Sequence, residues 1–334
     1  MTRRPTIRDV AMLAGVSVTT VSRVLNGNTE RHVSEETKKR VLHALAELDY
    51  VPTKTARLLR KKQTDKVAVL VPDISNPFFA CLVRGVQNLA HRCNLATLIC
   101  DSAGSPDKED DHLAAILEEP LVGLVFVPVK ERVIGELCRL ARHGVEVVLA
   151  DRRIEGWPVV EADNYGGART LTDYVLALGY RRIAFLAGPT DVSTSADRVR
   201  GFLSAMEARG IRPVLVCYGD FTFEFGYTRT RRVLDEYEVD AIMCANDLIA
   251  IGALHALRER KLCVPEDIGV TGFDHIWIAD LVYPPLTTVD VPAYRIGWEA
   301  MHLLLKHTQA KKILKVGLVK GSTCSPRKGK MVRL

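Results

Sequence analysis

The sequence predicts an α/β protein with a small, all-helical N-terminal head followed by a larger part made of two lobes with parallel sheets. A chain of 334 residues is too long for one ordinary core. Residues 1–62 hold 13 Lys or Arg against 6 Asp or Glu, whereas the rest of the chain holds 33 against 34. Because all excess positive charge lies at one end, that end suits a polyanionic partner.

Three segments follow from these patterns. We place the head at residues 1–50, a linker at 51–64 and the two-lobed domain at 65–334. The linker is rich in Lys and Arg and has few apolar residues that could anchor it to a core.

The first two predicted helices form a tight pair. Thr6 can cap the first helix, and Asp9 can bond back to the cap. Gly15 ends this helix, and Ser17 caps the second. A connection of two or three residues makes the pair fold sharply, as in a helix-turn-helix. Ser34 begins a third helix, whose core residues are Val41, Leu42, Leu45 and Leu48.

The second helix has the composition of a DNA-reading element. Val21, Val24 and Leu25 point to one side, which leaves a small polar face for the major groove. Arg can bond guanine, and Ser or Thr can bond several bases. Thr6, Lys38 and Lys39 suit phosphate contacts. We assign to the DNA-contacting surface Thr6, Ser17, Val18, Thr19, Ser22, Arg23 and Asn26.

From Val67 the pattern changes to short β-branched runs alternating with helical stretches, which is typical of parallel sheets covered by helices. The predicted strands are VAVLV, LATLIC, GLVFV, VEVVLA, RIAFLAG, AIMCA and IGVTGF. A weak internal resemblance between VAVLVPD and IAFLAGP suggests a duplicated lobe. A late helix near 296–305 and a strand near 313–319 complete the prediction.

Several functional classes are disfavoured. The eight cysteines include no CxxC pair, so we interpret them as reduced and expect no metal and no cofactor. The chain shows neither a membrane-length apolar run nor an apolar leader, and we expect a cytoplasmic protein. Nucleotide-binding and hydrolase motifs such as GxGxxG, GxxxxGK[ST] and GxSxG are missing, so we do not expect an enzyme.

The motifs resemble the LacI/GalR family of bacterial transcription regulators along nearly the whole chain. The resemblance is carried by TIRDVAMLAGVSVTTVSRVLNG, VSEETKKRVLHALAELDYVPTKTARLLR, VPDISNPFF, GPTDVSTSADRVRGF, CANDLIAIGAL, VPEDIGVTGFDHI and PPLTTVDVP. It implies a helix-turn-helix head joined to a two-lobed domain like the periplasmic sugar-binding proteins, and a homodimer on a near-palindromic operator.

The resemblance also assigns roles to individual residues. In the linker, TARLL would form a helix on operator DNA, with Leu59 inserted into the minor groove and Arg57 and Arg60 beside it. The alternative is a flexible tether. In the cleft between the lobes, a small molecule, expected to be a sugar, would contact Phe79, Asp151, Arg198, Phe221, Asn246 and Asp274. Asp73 and Asn76 are weaker candidates, since both also suit an ordinary turn.

Two rival functions remain at the level of the sequence. A sugar-binding transport protein would share the two-lobed fold, but the basic head and the missing leader argue against it. An enzyme on a similar sheet would show turnover of its ligand. The effector, the operator and the sign of the response stay open, although DNA release on sugar binding is the expected direction, in a repressor of a carbohydrate-utilisation operon.

Overall fold

The computed structural model describes residues 5–25, 33–48, 50, 64–130 and 133–327. The chain divides into two compact units, residues 1–64 and 65–334. Within the described residues, no helix is long and apolar enough to cross a membrane.

The head contains three helices: α1 (Ile7–Leu13), α2 (Val18–Leu25) and α3 (Glu35–Glu47). Helix α1 begins with the predicted capping box. The Asp9 amide donates to Thr6 Oγ1 over 3.4 Å, and the Thr6 amide donates to Asp9 Oδ2 over 2.6 Å. Gly15 takes a left-handed conformation with φ of 62°, which an L side chain rarely adopts. The predicted first helix end is therefore confirmed.

The head differs from the prediction in two details. The connection between α1 and α2 covers residues 14–17, one residue longer than predicted. Leu42 was expected in the core, yet it is exposed on α3. Ala44 occupies that inward direction instead and is buried together with Val41.

The first lobe is built on a six-stranded parallel sheet of order β11-β5-β4-β3-β1-β2. These strands are β1 (Lys66–Val71), β2 (Ala96–Asp101), β3 (Gly123–Phe126), β4 (Glu146–Ala150), β5 (Val159–Ala162) and β11 (Lys311–Leu314). Helices α4 (Pro77–Arg92), α5 (Pro106–Glu118), α6 (Ile134–Arg142) and α11 (Ala293–Leu305) belong to this lobe. Buried strand residues fill both faces of the sheet, as a parallel sheet between helices requires.

The second lobe has a four-stranded parallel sheet of order β7-β6-β8-β9. Its strands are β6 (Ile183–Ala187), β7 (Leu215–Tyr218), β8 (Ala241–Cys244) and β9 (Gly269–Thr271). The helices of this lobe are α7 (Asn164–Ala177), α8 (Ser193–Ala208), α9 (Phe223–Glu236), α10 (Asp247–Glu259) and a 3-10 turn at Trp277–Asp280. The two-lobed prediction is confirmed.

The late segment corrects one prediction. The single strand expected near 313–319 is two strands, because Leu314 and Gly317 belong to different sheets. Strand β11 joins the first lobe beside β5, whereas β12 (Gly317–Val319) pairs antiparallel with β10 (Thr288–Asp290). Strands β5, β7 and β10, each three or four residues long, were not predicted.

Candidate DNA-reading surface and effector cleft

Helix α2 exposes part of the surface predicted to read DNA. Arg23 and Thr19 are exposed, and Ser17 caps the helix by accepting the Thr20 amide over 3.1 Å. Val18 is half-buried and packs against the core of the head. Ser22 was expected on the exposed face of α2, yet only 7% of it is exposed. The helix turns 100° per residue, so Ser22 lies beside Val18 and Leu25 and faces inward with them.

Thr6 uses its hydroxyl within the capping box. Its Oγ1 donates to Asp9 Oδ2 over 2.7 Å, and the residue is half-buried. A phosphate contact by this hydroxyl would therefore compete with the Asp9 carboxylate for the same proton. Asn26, Arg57, Leu59 and Arg60 lie outside the described residues.

The six predicted effector residues lie together in one cleft between the lobes. Each follows the carboxyl end of a parallel strand or lies in the helix after it, which is where ligands bind in α/β folds. The cavity at this place has a volume of about 20 Å³. It is lined by Asn76, Phe78, Phe79, Asp151, Arg152, Thr194, Arg198, Phe221, Asn246 and Asp274.

Arg198 is the most extensively bonded residue of the cleft. It donates to Asn164 Oδ1 over 2.8 Å, to the Ala245 carbonyl oxygen over 2.5 Å and to Asp274 Oδ1 over 2.9 Å. Its guanidinium also lies 4.0 Å from the centre of the Phe273 ring. Since only 3% of Arg198 is exposed, these partners replace water around a charge that would otherwise be costly to bury.

Asp274 is presented by a strained turn. Its φ is 105°, and His275 after it has φ of 53°, both in the left-handed region. Asp247, at the start of α10, holds this turn, because its carboxylate accepts the Ile276 amide over 2.8 Å and the Thr288 hydroxyl over 2.6 Å. Burial raises the pKa of Asp274 to about 7, although the guanidinium of Arg198 lowers it in part.

Arg152 was not predicted. It donates to the Pro128 carbonyl oxygen over 2.8 Å, and its guanidinium lies 5.6 Å from the centre of the Phe79 ring and 5.8 Å from that of Phe221. Phe79 belongs to the first lobe and Phe221 to the second, so Arg152 lies between the two predicted aromatic walls. The sequence signal that could have identified Arg152 is a second charged residue directly after Asp151 at the end of β4.

Within the described part of the chain, Asp151 and Arg152 each leave one polar atom without a hydrogen bond at the cleft, although the two side chains form an ion pair in which Arg152 Nε lies 3.9 Å from Asp151 Oδ2. Among the described residues, neither Asp151 Oδ1 nor Arg152 Nε has a hydrogen-bond partner, although both residues are buried. Burial raises the pKa of Asp151, with Arg152 and Arg198 opposing the shift. Burial likewise lowers the pKa of Arg152, with Asp151 opposing it. The site thus offers an acceptor and a donor side by side, which matches a hydroxyl-bearing ligand.

Two asparagines cap helices that point at the cleft. Asn76 accepts the Phe78 amide over 3.0 Å at the start of α4. Asn246 accepts the Ile249 amide over 2.9 Å at the start of α10, and its Nδ2 donates to the Phe221 carbonyl oxygen over 3.3 Å. Asn76, a weaker candidate, therefore lines the cleft, whereas Asp73 is not among the lining residues. In the described part of the chain, no cluster of His, Cys, Asp or Glu could hold a metal ion.

Comparisons with known proteins show the family of the chain. Residues 6–53 match the model of bacterial regulatory proteins of the lacI family, and residues 172–324 match a periplasmic binding protein-like domain. The ribose operon repressor of Halalkalibacterium halodurans is 34% identical over 314 residues, which cover 92% of each chain. The chain belongs to the LacI family.

Solved structures of this family have the same fold. A Lac repressor dimer bound to operator and the anti-inducer ONPF superposes with a TM-score of 0.85 at 27% identity, covering 97% of this chain and all of that one. A complex of the transcriptional regulator CelR with cellobiose superposes with a TM-score of 0.72 at 32% identity. The match covers 96% of this chain and all of the CelR chain. This LacI-family chain is therefore a DNA-binding transcription regulator and not an enzyme.

Proposed function

We propose that this regulator represses a carbohydrate-utilisation operon, and that a sugar bound in the cleft releases it from DNA. A homodimer would place two heads on the half-sites of a near-palindromic operator, since one reading helix covers only a few base pairs. Arg23 and Thr19 would read base edges. The relatives support this assignment, because one is named a ribose operon repressor and another was solved with cellobiose.

The unused acceptor and donor on Asp151 and Arg152 carry the proposal for a sugar. Vicinal hydroxyls of a sugar can donate to Asp151 Oδ1 and accept from Arg152 Nε, so both buried atoms gain partners. Phe79 and Phe221 supply aromatic rings for the apolar face of the sugar ring. Arg198 and Asn246 would bond the remaining hydroxyls from the second lobe.

The cavity volume places one condition on binding. About 20 Å³ holds one water molecule, whereas pockets for small ligands measure roughly 300 Å³ or more. A sugar therefore has to bind with the lobes farther apart than in this structure. The accompanying change in lobe position is what could alter the spacing of two heads in a dimer.

The test begins with DNA selected from a random pool by the full-length protein, because the operator is unknown. Fluorescence anisotropy on the selected DNA is then measured with D-ribose, D-cellobiose, other pentoses and hexoses, and purine bases. We expect a sugar to weaken DNA binding at least tenfold and to emerge from the incubation chemically unchanged. Tighter DNA binding with the ligand would make the protein a corepressor-dependent regulator, and turnover would revive the enzyme hypothesis.

Two matched variants separate the cleft from the fold. Asp151→Asn keeps the shape of the side chain but removes the charge, so it should lose the sugar response while retaining DNA binding. Asp240→Asn changes another buried carboxylate of the two-lobed domain, one that accepts the Arg181 and Arg182 amides outside the cleft. It should keep the response. Equal responses of both variants would place the effector elsewhere.

A further inference from the structure

Arg153 joins the two lobes at the edge of the cleft. It follows β4 of the first lobe, and its guanidinium reaches α8 of the second lobe. Both oxygens of Asp197 accept from it: Nη1 bonds Oδ2, and Nη2 bonds Oδ1 over 2.9 Å. The Arg153 amide also donates to Ser193 Oγ over 3.0 Å. Main chain and side chain of one residue thus both cross the boundary between the lobes.

On the first-lobe side, Arg153 is anchored firmly. Its Nη1 lies 3.1 Å from Glu161 Oε2, and Lys311 Nζ lies 2.9 Å from the other oxygen of this carboxylate. Glu161 is on β5 and Lys311 on the neighbouring β11, so the anchor belongs to the sheet. The Glu161 side chain is only 3% exposed, which keeps it in one position for Arg153.

On the second-lobe side, Asp197 has two arginine partners. Arg200 lies three residues later on α8 and contacts Asp197 Oδ1 over 2.5 Å, within the same lobe. Burial raises the pKa of Asp197, but hydrogen bonds from Arg153 and Arg200 outweigh this and hold it below its usual range. The Asp197 side chain is 10% exposed, against 30% for Arg153. This pair is therefore better shielded from water than an ordinary surface ion pair.

A second ion pair crosses between the lobes nearby. Lys130 Nζ lies 3.3 Å from Asp191 Oδ2, and both side chains are more than 40% exposed. Such a pair contributes little, because water screens it. The bidentate contact of Arg153 with Asp197 is the stronger of the two. In the chain, Arg153 directly follows the cleft residue Arg152, and Asp197 lies three residues after the cleft residue Thr194.

We propose that the contact of Arg153 with Asp197 and Ser193 is a latch that holds the lobes closed and that an effector has to displace. This inference rests on the proposed function for its effector arm. With the latch formed, the cavity has room for about one water molecule, so the latched form is not the form that admits a sugar. The measured affinity then equals the intrinsic affinity multiplied by the fraction of unlatched protein.

The sign of the effect follows from this relation. Weakening the latch raises the unlatched fraction, so the effector binds more tightly and DNA is released at lower concentrations. Asp197→Asn tests the latch, because asparagine has nearly the same shape as aspartate but lacks the negative charge that Arg153 binds. Arg200→Gln is its matched control: it removes the other arginine partner of Asp197, but that pair does not cross between the lobes.

The first measurement is the distance between the two lobes, and it needs no effector. Spin labels are placed on Cys138 of α6 and on Glu207→Cys of α8, in full-length protein whose other exposed cysteines are serine, diluted with unlabelled protein. The distance distribution between the labels is then recorded by electron paramagnetic resonance. We expect Asp197→Asn to shift or broaden the distribution towards a second population, and Arg200→Gln to match the parent. An unchanged distribution in Asp197→Asn overturns the latch.

The second measurement is a calorimetric titration with D-ribose. If no binding of D-ribose is detected, the other sugars of the panel are titrated in the same way. Asp197→Asn should bind about three- to tenfold more tightly than the parent, in keeping with the modest contribution of a partly exposed pair. Arg200→Gln should bind as the parent does. Unchanged or weaker binding by Asp197→Asn overturns the inference. If no sugar binds any variant, the proposed function fails, and the label distances still decide whether the latch exists.

Discussion

Replacing Arg198 by Met tests whether the buried charges of the cleft are matched as the structure indicates. Arg198→Met keeps much of the side-chain volume but removes the hydrogen bonds to Asn164, Ala245 and Asp274. Asp274 is only 7% exposed, so its carboxylate is left buried without its cation. Breaking such a pair costs about 3–5 kcal/mol, which corresponds to a decrease in Tm of roughly 6–20 °C for a domain of this size.

The double variant Arg198→Met with Asp274→Asn makes the test specific. It removes the stranded charge as well, so the free energy of unfolding should recover by at least about 2 kcal/mol relative to Arg198→Met. Thermal and chemical denaturation of the four proteins at pH 8 provide the cycle. Loss of Arg198 raises the pKa of Asp274 further, so part of the cost appears as proton uptake by this carboxyl group. A Tm decrease below 2 °C in Arg198→Met, or no recovery in the double variant, would refute the reasoning from charge burial.

Four further outcomes are expected. Arg23→Ala should cost about 1–3 kcal/mol in operator binding and relax the preference at one base pair, as measured by competition with single-base operator variants. Leu59→Ala should reduce DNA bending in a circular-permutation gel while keeping the base preferences of α2; equal bending would disprove the proposed wedge. Gly85→Ala would bring a Cβ to 2.0 Å from the Tyr294 carbonyl oxygen, where α4 meets α11, and should lower the free energy of unfolding by more than 1 kcal/mol. In the control Gly135→Ala, the added Cβ meets no neighbour from the described residues within 4 Å, so the free energy of unfolding should stay unchanged or rise by up to about 1 kcal/mol. Asp274 has a pKa of about 7 when folded and an ordinary value of 3.8, so the folded chain binds its proton more tightly; its contribution to stability falls as the pH rises from about 4 to about 7, and Asp274→Asn should flatten this part of the profile.

The sequence was sufficient where the signal was local or repeated along the chain. The cap at Thr6, the helix end at Gly15 and most of the parallel strands each depend on a few neighbouring residues, and these were predicted correctly. The buried position of Ser22 was missed because the helical pattern placed it on the face opposite Val21, Val24 and Leu25, whereas only 7% of it is exposed. Val18 and Leu25, its neighbours four residues before and three residues after it, pack against the core that α1, α2 and α3 share, and that packing depends on how the three helices meet.

The cleft shows why the separate roles of neighbouring charged residues cannot be assigned from the sequence. Asp151, Arg152 and Arg153 are three consecutive charges after β4, yet each has a different environment. Asp151 has φ of 64°, so the chain leaves the extended direction of the strand at this residue. Asp151 and Arg152 then line the cavity, and Arg153 crosses to a carboxylate 44 positions later in the chain. Such a partner is fixed by how the lobes meet.

In the proposed function, the same triplet would join ligand binding to regulation. A ligand that bonds Asp151 Oδ1 and Arg152 Nε acts on residues whose neighbour, Arg153, fastens the lobes to each other. The main chain between Arg152 and Arg153 is a single peptide unit, so widening the cleft by the width of a sugar ring strains the hydrogen bond from the Arg153 amide to Ser193. Ligand contacts and lobe contacts thus compete over one short segment. A ligand favours the open arrangement only by its difference in affinity for the two forms, and in the proposed latch that difference would arise in this segment. If Arg153 were remote from the ligand contacts, Asp197→Asn would change the lobe distance without changing sugar affinity, and measuring both in the same variant distinguishes these cases.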